Sequence, residues 1–383
     1  MPSLSEETNG AATTLQAGAS IGIVGGGQLG QMMAIAARYQ GFGIEVLDPG
    51  SPCSAAQVAD RQIVAEYADA DAIARLADHN DVLTYEFENV DADTLDAVRA
   101  RVAIPQGTDL LRVTQHRIAE KTFINNHGIA TAPWRPVHNR AELATALGEL
   151  GYPAVLKTAQ GGYDGHGQIV LRTPEDMERV WQDAEFPECV LEGFVDFAYE
   201  ASILVSGNGS DYVTFPVVRN IHRHNILHMT VATSDVDARI AEAARDLALT
   251  LARGFALAGT LAIELFVLEN GEVLVNELAP RPHNSGHYTI EACDFDQFAL
   301  HVQGVTGQPM PQPRLLSDAV MVNVLGQHVD RVRHAAAEHP DWHVHDYGKQ
   351  ERRTNRKMGH ITVLTDNVER TIGELEATGC WDD

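Results

Sequence analysis

The stretch from Leu261 to Leu278, LAIELFVLENGEVLVNEL, has few ways to fold other than as an antiparallel hairpin. Apolar strand-forming residues run up to Asn270-Gly271 and resume after it, and Asn-Gly is the favoured two-residue turn because both positions tolerate positive φ. With that turn setting the register, Glu269 faces Glu272, and counting outward brings Glu264 directly opposite Glu277. Their Cβ atoms would lie about 5 Å apart on one face. Two facing carboxylates repel, and Leu261, Ile263 and Val275 mark the hairpin as largely buried. Burying both charges is costly without a cation. A hard divalent ion with oxygen ligands is the natural compensation, Mg²⁺ bridging to phosphate oxygens being its usual biological form. The bland alternative is that one carboxylate turns to solvent or pairs with an arginine such as Arg281.

Upstream, strand-like runs at 21–24, 44–47 and 82–84 alternate with helical patterns at 28–40, 69–78 and 92–100. That alternation predicts a parallel sheet wound with helices. GIVGGGQLGQM, residues 22–32, spaces Gly25, Gly27 and Gly30 as a dinucleotide-binding turn, and Asp48 stands where a ribose-binding carboxylate would. This leaves a nicotinamide oxidoreductase open as a rival reading, although the PGSPC after Asp48 suits a plain turn equally well. A second unit runs from a helix at 139–150 through PAVLKT, IVLR, a helix at 174–184, CVLEGFV and further strands to about Val218. A long amphipathic helix over 235–254 leads into the hairpin, and the loop APRPHNSGH leaves it.

A chain of 383 residues has room for two or three domains. The formal charge of −25 argues against general nucleic-acid binding, which needs a basic face. It also requires that the few Lys and Arg gather wherever phosphorylated substrates dock. No apolar stretch approaches the roughly 18 residues of a membrane span. Residues 1–19 read as a disordered tail, without the basic start and apolar core of a signal peptide. The 4 cysteines are scattered without a C-x-x-C, which favours a reducing cytosol. HRHNILH, 222–228, has the look of a histidine metal cluster but lacks the helical spacing and third ligand of one.

Lys157 ends the PAVLKT strand, just before a loop whose Gly162, Gly165 and Gly167 leave backbone N–H groups open to an anion. The order of residues is not that of a Walker loop. A glycine-rich lid after a lysine-bearing strand, followed by paired glutamates on a later hairpin, looks like the ATP-grasp fold. The strings GGYDGHGQ, NELAPRPHNSGHYTIEACDFDQF and YGKQE…RKMGH resemble the 5-(carboxyamino)imidazole ribonucleotide synthetase family of purine biosynthesis, over about residues 20–365. APRPHNSGH is the most specific part. Formate-dependent glycinamide ribonucleotide transformylases look similar but typically carry Asp-Thr-Gly where this chain has Asn284-Ser285-Gly286, and they remain the alternative within the superfamily.

The resemblance implies an α/β and α+β chain: a Rossmann-like N-terminal substrate-binding domain over 20–110, an ATP-grasp domain over 111–300 with a lid subdomain at about 135–195, and a small C-terminal domain over 301–383. It implies ATP and Mg²⁺ as cofactors, bicarbonate and 5-aminoimidazole ribonucleotide as substrates, a homodimer, and a cytoplasmic setting. ATP would phosphorylate bicarbonate, and the carboxyphosphate would release CO₂ in a closed site for attack by the ribonucleotide amine. Phosphoryl transfer asks mainly for positioning and charge neutralisation.

By the same resemblance, Arg117 and Lys157 meet the nucleotide phosphates under a lid of Gly162, Tyr163, Asp164, Gly165, His166, Gly167 and Gln168. Glu192, Gly193, Phe194 and Val195 meet the adenine largely through backbone groups, Glu200 the ribose, and His222 and Asn276 further parts of the nucleotide. Glu264 and Glu277 hold Mg²⁺, in agreement with the register count. Gln28, Leu29, Glu86 and Asn284 contact the ribonucleotide, with Lys349, Arg356 and Lys357 on its phosphate. Tyr163, Asp164, Arg281, His283 and Lys349 form the catalytic set, with Asp164 or His283 accepting a proton. Three positions depart from the family pattern: His166 for a usual Arg or Lys, His116 for a usual Asp, and Thr354-Asn355 for a usual Pro-Gly.

Overall fold

The computed structural model describes residues 14–161, 167–180 and 187–382. Its first sheet is parallel throughout, in the order β3-β2-β1-β4. The elements are β1 (Ser20–Val24), α1 (Gln28–Tyr39), β2 (Gly43–Leu47), β3 (Arg61–Ile63), α2 (Ala70–His79) and β4 (Val82–Tyr85). Ile21, Ile23, Ile44, Val46, Val82 and Leu83 are buried, the near-continuous apolar run of strands covered on both faces. β3 is three half-polar residues and gives no periodic signal, so it was not legible beforehand. α3 (Ala92–Asp96) stops short of the expected 92–100. The expected tail is tied down at its end. Leu15 packs on the first core, its N–H donates to the Thr306 carbonyl at 2.9 Å, and Thr14 Oγ1 donates to Gly307 O at 2.9 Å.

α4 (Asp109–Thr114) and α5 (Arg117–Asn126) lead to a second, antiparallel sheet in the order β5-β8-β6-β7. It contains β5 (Trp134–Val137), β6 (Ala154–Thr158), β7 (Gln168–Leu171) and β8 (Cys189–Gly193), with α6 (Arg140–Leu150) and α7 (Pro174–Val180) between strands. Asn139 caps α6 by accepting the Glu142 N–H at 3.0 Å. Val137, Leu143, Leu147, Leu156, Leu171 and Leu191 form its core.

The third sheet has nine strands. It takes in β9 (Tyr199–Asn208), β10 (Tyr212–Thr214), β11 (Val218–Arg223), β12 (Ile226–Ala232), β13 (Ala258–Val267) and β14 (Val273–Ala279), and α8 (Ala238–Gly254) packs on β9 and β13. After α9 (Thr289–Ala292) and α10 (Gln297–Val305), β15 (Asp318–Leu325), β16 (Trp342–Asp346) and β17 (Lys357–Thr365) extend the same sheet, flanked by α11 (Val329–Ala336) and α12 (Val368–Ala377). β15 pairs antiparallel with β12, Met229 opposite Val322. The expected division at 300/301 therefore falls inside α10, and the C-terminal strands continue the central sheet. No helix among the described residues is long and apolar enough to cross a membrane.

The β13–β14 hairpin forms with a different turn from the one its Asn-Gly suggests. The Gly271 N–H donates to the Leu268 carbonyl at 2.9 Å, and the Leu268 N–H donates to the Glu272 carbonyl at 2.9 Å. Glu269, Asn270 and Gly271 thus make a three-residue loop, with Gly271 in the left-handed position at φ +82°. This slips the register by one residue, so Val267 faces Val273 and Leu265 faces Val275. A bulge at Asn276 then absorbs the extra residue, and Glu264 does sit opposite Glu277. The pairing that mattered survives because two one-residue departures cancel.

Candidate active site

An open cleft of about 440 Å³ receives side chains from the first sheet and from the nine-stranded sheet. Gln28, Leu29 and Glu86 enter from one side; His222, Glu264, Glu277, Arg281, His283, Asn284 and Lys357 enter from the other. A smaller pocket lined by Arg117, Glu120 and Gly161 shares Glu277, Arg281 and His283 with it. Residues that are far apart in the chain thus meet at the carboxylate pair.

Arg117 Nη1 stands 3.3 Å from Glu277 Oε2. Burial, and next the charge of Glu277, push the Glu264 carboxyl up to about 7. The neighbouring Glu120 is driven up to about 8 by burial and again by Glu277, although its Oε1 accepts the Leu278 N–H at 2.6 Å. Arg281 is engaged elsewhere, its Nε 2.6 Å from Glu88 Oε2. The local excess of negative charge and the buried, unpartnered Oδ1 of Asn276 suit a divalent cation. No group of three or more His, Cys, Asp or Glu among the described residues is arranged to hold a metal. A cation at Glu264 and Glu277 would complete its shell with nucleotide oxygens and water.

Lys157 points into the second sheet and meets Glu192 Oε2 at 2.9 Å, while Lys121 Nζ reaches Glu192 Oε1 at 3.0 Å. Burial raises the Glu192 carboxyl, but Lys157 and Lys121 outweigh it and hold the group down at about 2. The Gly193 N–H already donates to the Pro133 carbonyl at 2.8 Å and the Phe194 N–H to the Pro153 carbonyl at 3.2 Å, so these two donors are spent within the protein. Phe194 leaves its ring half-exposed, followed by Val195. Glu200 Oε2 meets His222 Nδ1 at 2.6 Å; burial lowers that imidazole, and Glu200 more than restores it. Gly167 takes φ +75° ahead of Gln168, which pairs with Lys157. Gly162, Tyr163, Asp164, Gly165 and His166 lie outside the described residues. His116, the second departure, meets Glu188 Oε2 at 3.0 Å.

The opening glycine turn is a correction as well. Its helix N-terminus does hold an anion, but that anion is the protein's own. The Gly27 and Gly30 N–H groups donate to the two oxygens of Glu86 at 2.5 Å each, and the Gly26 N–H donates to Asp48 Oδ2 at 2.8 Å. Gly25, at φ +108°, is required by closeness too: a Cβ there would come within 2.3 Å of Glu86 Cγ. With both carboxylates in place, the Gly26, Gly27 and Gly30 N–H groups are taken and are closed to a dinucleotide pyrophosphate, which weighs against the oxidoreductase reading. Gln28 and Leu29 still face the cleft.

Lys349 Nζ donates to the Lys357 carbonyl at 2.8 Å, and burial with the nearby Arg356 and Lys357 lowers it to about 8. Like charges crowded this way favour a bound anion. Asn355 adopts φ +64°, a conformation Asn tolerates, and its N–H donates to Gln327 Oε1 at 2.9 Å, so Thr354-Asn355 makes the turn without Gly. Asn284 donates to Asn323 Oδ1 at 2.9 Å and accepts from Asn323 Nδ2, so its amide is engaged in the core. His224 and Asn225, both at positive φ, form the turn between β11 and β12 within the histidine-rich string.

Sequence reasoning missed Lys121, Glu120, Glu88, Asn323, Gln297 and Ser285. Glu120 and Lys121 follow Arg117 at helical i+3 and i+4 spacing and were findable on that ground. Ser285 lies two residues from His283 within the APRPHNSGH string, and Asn323 and Gln297 are brought in by tertiary contacts.

Comparison with known proteins gives the family. A ribonucleotide synthetase preATP-grasp domain matches residues 19–115, an ATP-grasp domain 122–298, and a phosphoribosylaminoimidazole carboxylase C-terminal domain 319–373. N5-carboxyaminoimidazole ribonucleotide synthase of Bacillus subtilis is 45% identical over 368 residues, covering 95% of this chain and 96% of the relative. A Staphylococcus aureus synthetase solved with ADP superposes with a TM-score of 0.91 at 41% identity, covering 96% of this chain and 98% of that one. The Aspergillus clavatus enzyme, solved with ADP and 5-aminoimidazole ribonucleotide, superposes at 0.88 with 27% identity, covering 94% and 97%. The chain belongs to the N5-carboxyaminoimidazole ribonucleotide synthase family of ATP-grasp ligases.

Proposed function

We propose that the protein is an ADP-forming ligase that carboxylates 5-aminoimidazole ribonucleotide with bicarbonate and ATP in purine biosynthesis. The observation that carries this reading is the facing Glu264–Glu277 pair, opening on one side to Arg117 and on the other to a cleft rimmed by Lys357. The ATP phosphates lie toward Arg117 and Lys157, with Glu200 and His222 on the ribose side. Mg²⁺, held by Glu264 and Glu277, supplies charge neutralisation to the phosphoryl group in transfer. Bicarbonate takes the phosphoryl group to give carboxyphosphate, which releases CO₂ and phosphate. The ribonucleotide sits with its phosphate at Lys349, Arg356 and Lys357, and its amine attacks CO₂ near Arg281 and His283. The lid residues from Gly162 to Gln168 exclude water from these labile species. A cytoplasmic homodimer belongs to the same proposal on the family likeness, and sedimentation at the mass of a single chain would remove the dimer.

The test is ADP release by purified protein with Mg²⁺, bicarbonate and 5-aminoimidazole ribonucleotide, each omitted in turn. We expect turnover that depends on the ribonucleotide and yields its N-carboxylated product. Turnover indifferent to bicarbonate but dependent on formate would point to the transformylase chemistry instead.

A further inference from the structure

The loop that carries Arg281 and His283 into the cleft is held by a side chain outside it. Gln297, on the first turn of α10, is fully buried. Its Oε1 accepts the His283 N–H at 2.8 Å, and its Nε2 donates to the His283 carbonyl at 2.8 Å. One side-chain amide therefore satisfies both backbone groups of His283, as a neighbouring strand would. Gly286 closes the loop onto that amide, since a Cβ there would come within 2.5 Å of Gln297 Oε1.

The imidazole is fixed separately. The Ser285 N–H donates to His283 Nδ1 at 3.3 Å, and Ser285 Oγ stands 2.9 Å from the same nitrogen. Ser202 Oγ, on β9 directly across from Glu264, donates in turn to Ser285 Oγ at 2.8 Å. A backbone N–H can only donate, so Nδ1 is the acceptor and the ring hydrogen resides on Nε2. Nε2 lies 3.5 Å from Glu264 Oε1, too far for that carboxylate to consume the N–H. The ring borders both pockets.

We propose that Gln297 and Ser285 are positioning residues that hold His283 with its Nε2–H directed into the cleft, making the imidazole a hydrogen-bond donor to the carboxyl group in transfer and not the acceptor of the amine proton. The inference rests on the carboxylation reading above and reverses the proton-acceptor role that the sequence suggested for His283. A fixed neutral donor stabilises the negative charge that grows on a carboxyl oxygen as its carbon is attacked.

Two sets of measurements test it. His283→Gln retains an N–H donor at about the reach of Nε2 but no basic nitrogen. Its kcat should stay within about 10-fold of the native value, while His283→Ala loses about 100-fold or more. Equal losses in the two variants overturn the donor role. Gln297→Met and Ser285→Ala should each lower kcat by about 10- to 100-fold with ADP affinity unchanged, and a change confined to KM overturns the positioning role. If Gln297→Met does not fold, Gln297→Glu keeps the acceptor for the His283 N–H and serves in its place. The direct readout is NMR of the ¹⁵N-histidine-labelled native protein, with the His283 signals assigned by their loss in His283→Gln. A protonated Nε2 and bare Nδ1 support the proposal, and a protonated Nδ1 overturns it. This readout needs no turnover, so it stands apart from any failure of the carboxylation assay.

Discussion

Glu192 and Glu264 both sit on strands with little access to solvent, and their surroundings treat them oppositely. Glu192 lies between Lys121 and Lys157 and stays ionised, held at about 2 against the pull of burial. Glu264 faces Glu277 across a strand pair and is driven up to about 7. Glu86 is intermediate: burial raises it, and the Gly30 and Gly27 N–H groups oppose that rise. The contrast separates carboxylates whose counter-charge the fold supplies from those whose counter-charge must come from outside. Only the second kind marks a cation site.

The contrast can be broken at either end. Removing the built-in counter-charge should have the largest effect. Lys121→Met leaves a buried carboxylate with one lysine, and we expect a stability loss of about 3–5 kcal/mol in urea titration. A loss below about 1 kcal/mol would mean that the triad is solvated and the contrast false. Next is Glu277→Gln, which removes the pair's demand for a cation. ADP release should fall about 100- to 1000-fold with the fold intact by circular dichroism, and full activity would sink the metal assignment.

Glu86→Gln sets an amide N–H against a glycine N–H at the helix start. A loss of about 1.5–3 kcal/mol is expected, with the ribonucleotide KM raised and the ATP KM unmoved. An unchanged melting point would show that the Gly27 and Gly30 donors do not need the charge. The smallest effect is with pH. Glu264 rises from 4.5 to about 7 on folding, so the folded state binds more protons than the unfolded chain between those values. Stability of the metal-free protein should therefore fall, by on the order of 1 kcal/mol, as pH climbs from 5 to about 7. Glu120 extends the decline toward about 8. Glu264→Gln should flatten the part below 7, and a slope unchanged in that variant would place its origin elsewhere.

Much of the site was legible because its parts are local. A hairpin brings Glu264 and Glu277 together across a few residues, and even a misjudged turn left the pairing intact once the Asn276 bulge restored the count. Lys157 before a glycine loop and the APRPHNSGH string were readable on the same scale. What the sequence left illegible at the site is which donors are already spent. Gly27 and Gly30 looked open to a ligand because Glu86 is 56 residues beyond the second of them.

The sequence alone determined the alternation of elements in the first sheet, the facing glutamates, the lysine at the strand end and the family. These follow from periodicity, turn chemistry and short motifs, which act over a few residues. Tertiary structure decided the rest: the Lys121–Glu192–Lys157 triad, the carboxylate filling the opening glycine turn, and the continuation of the central sheet by β15–β17. Each depends on hydrogen bonds or charges closed over tens of residues. Such contacts are satisfied only when separate elements pack, and no local pattern records which partner they find.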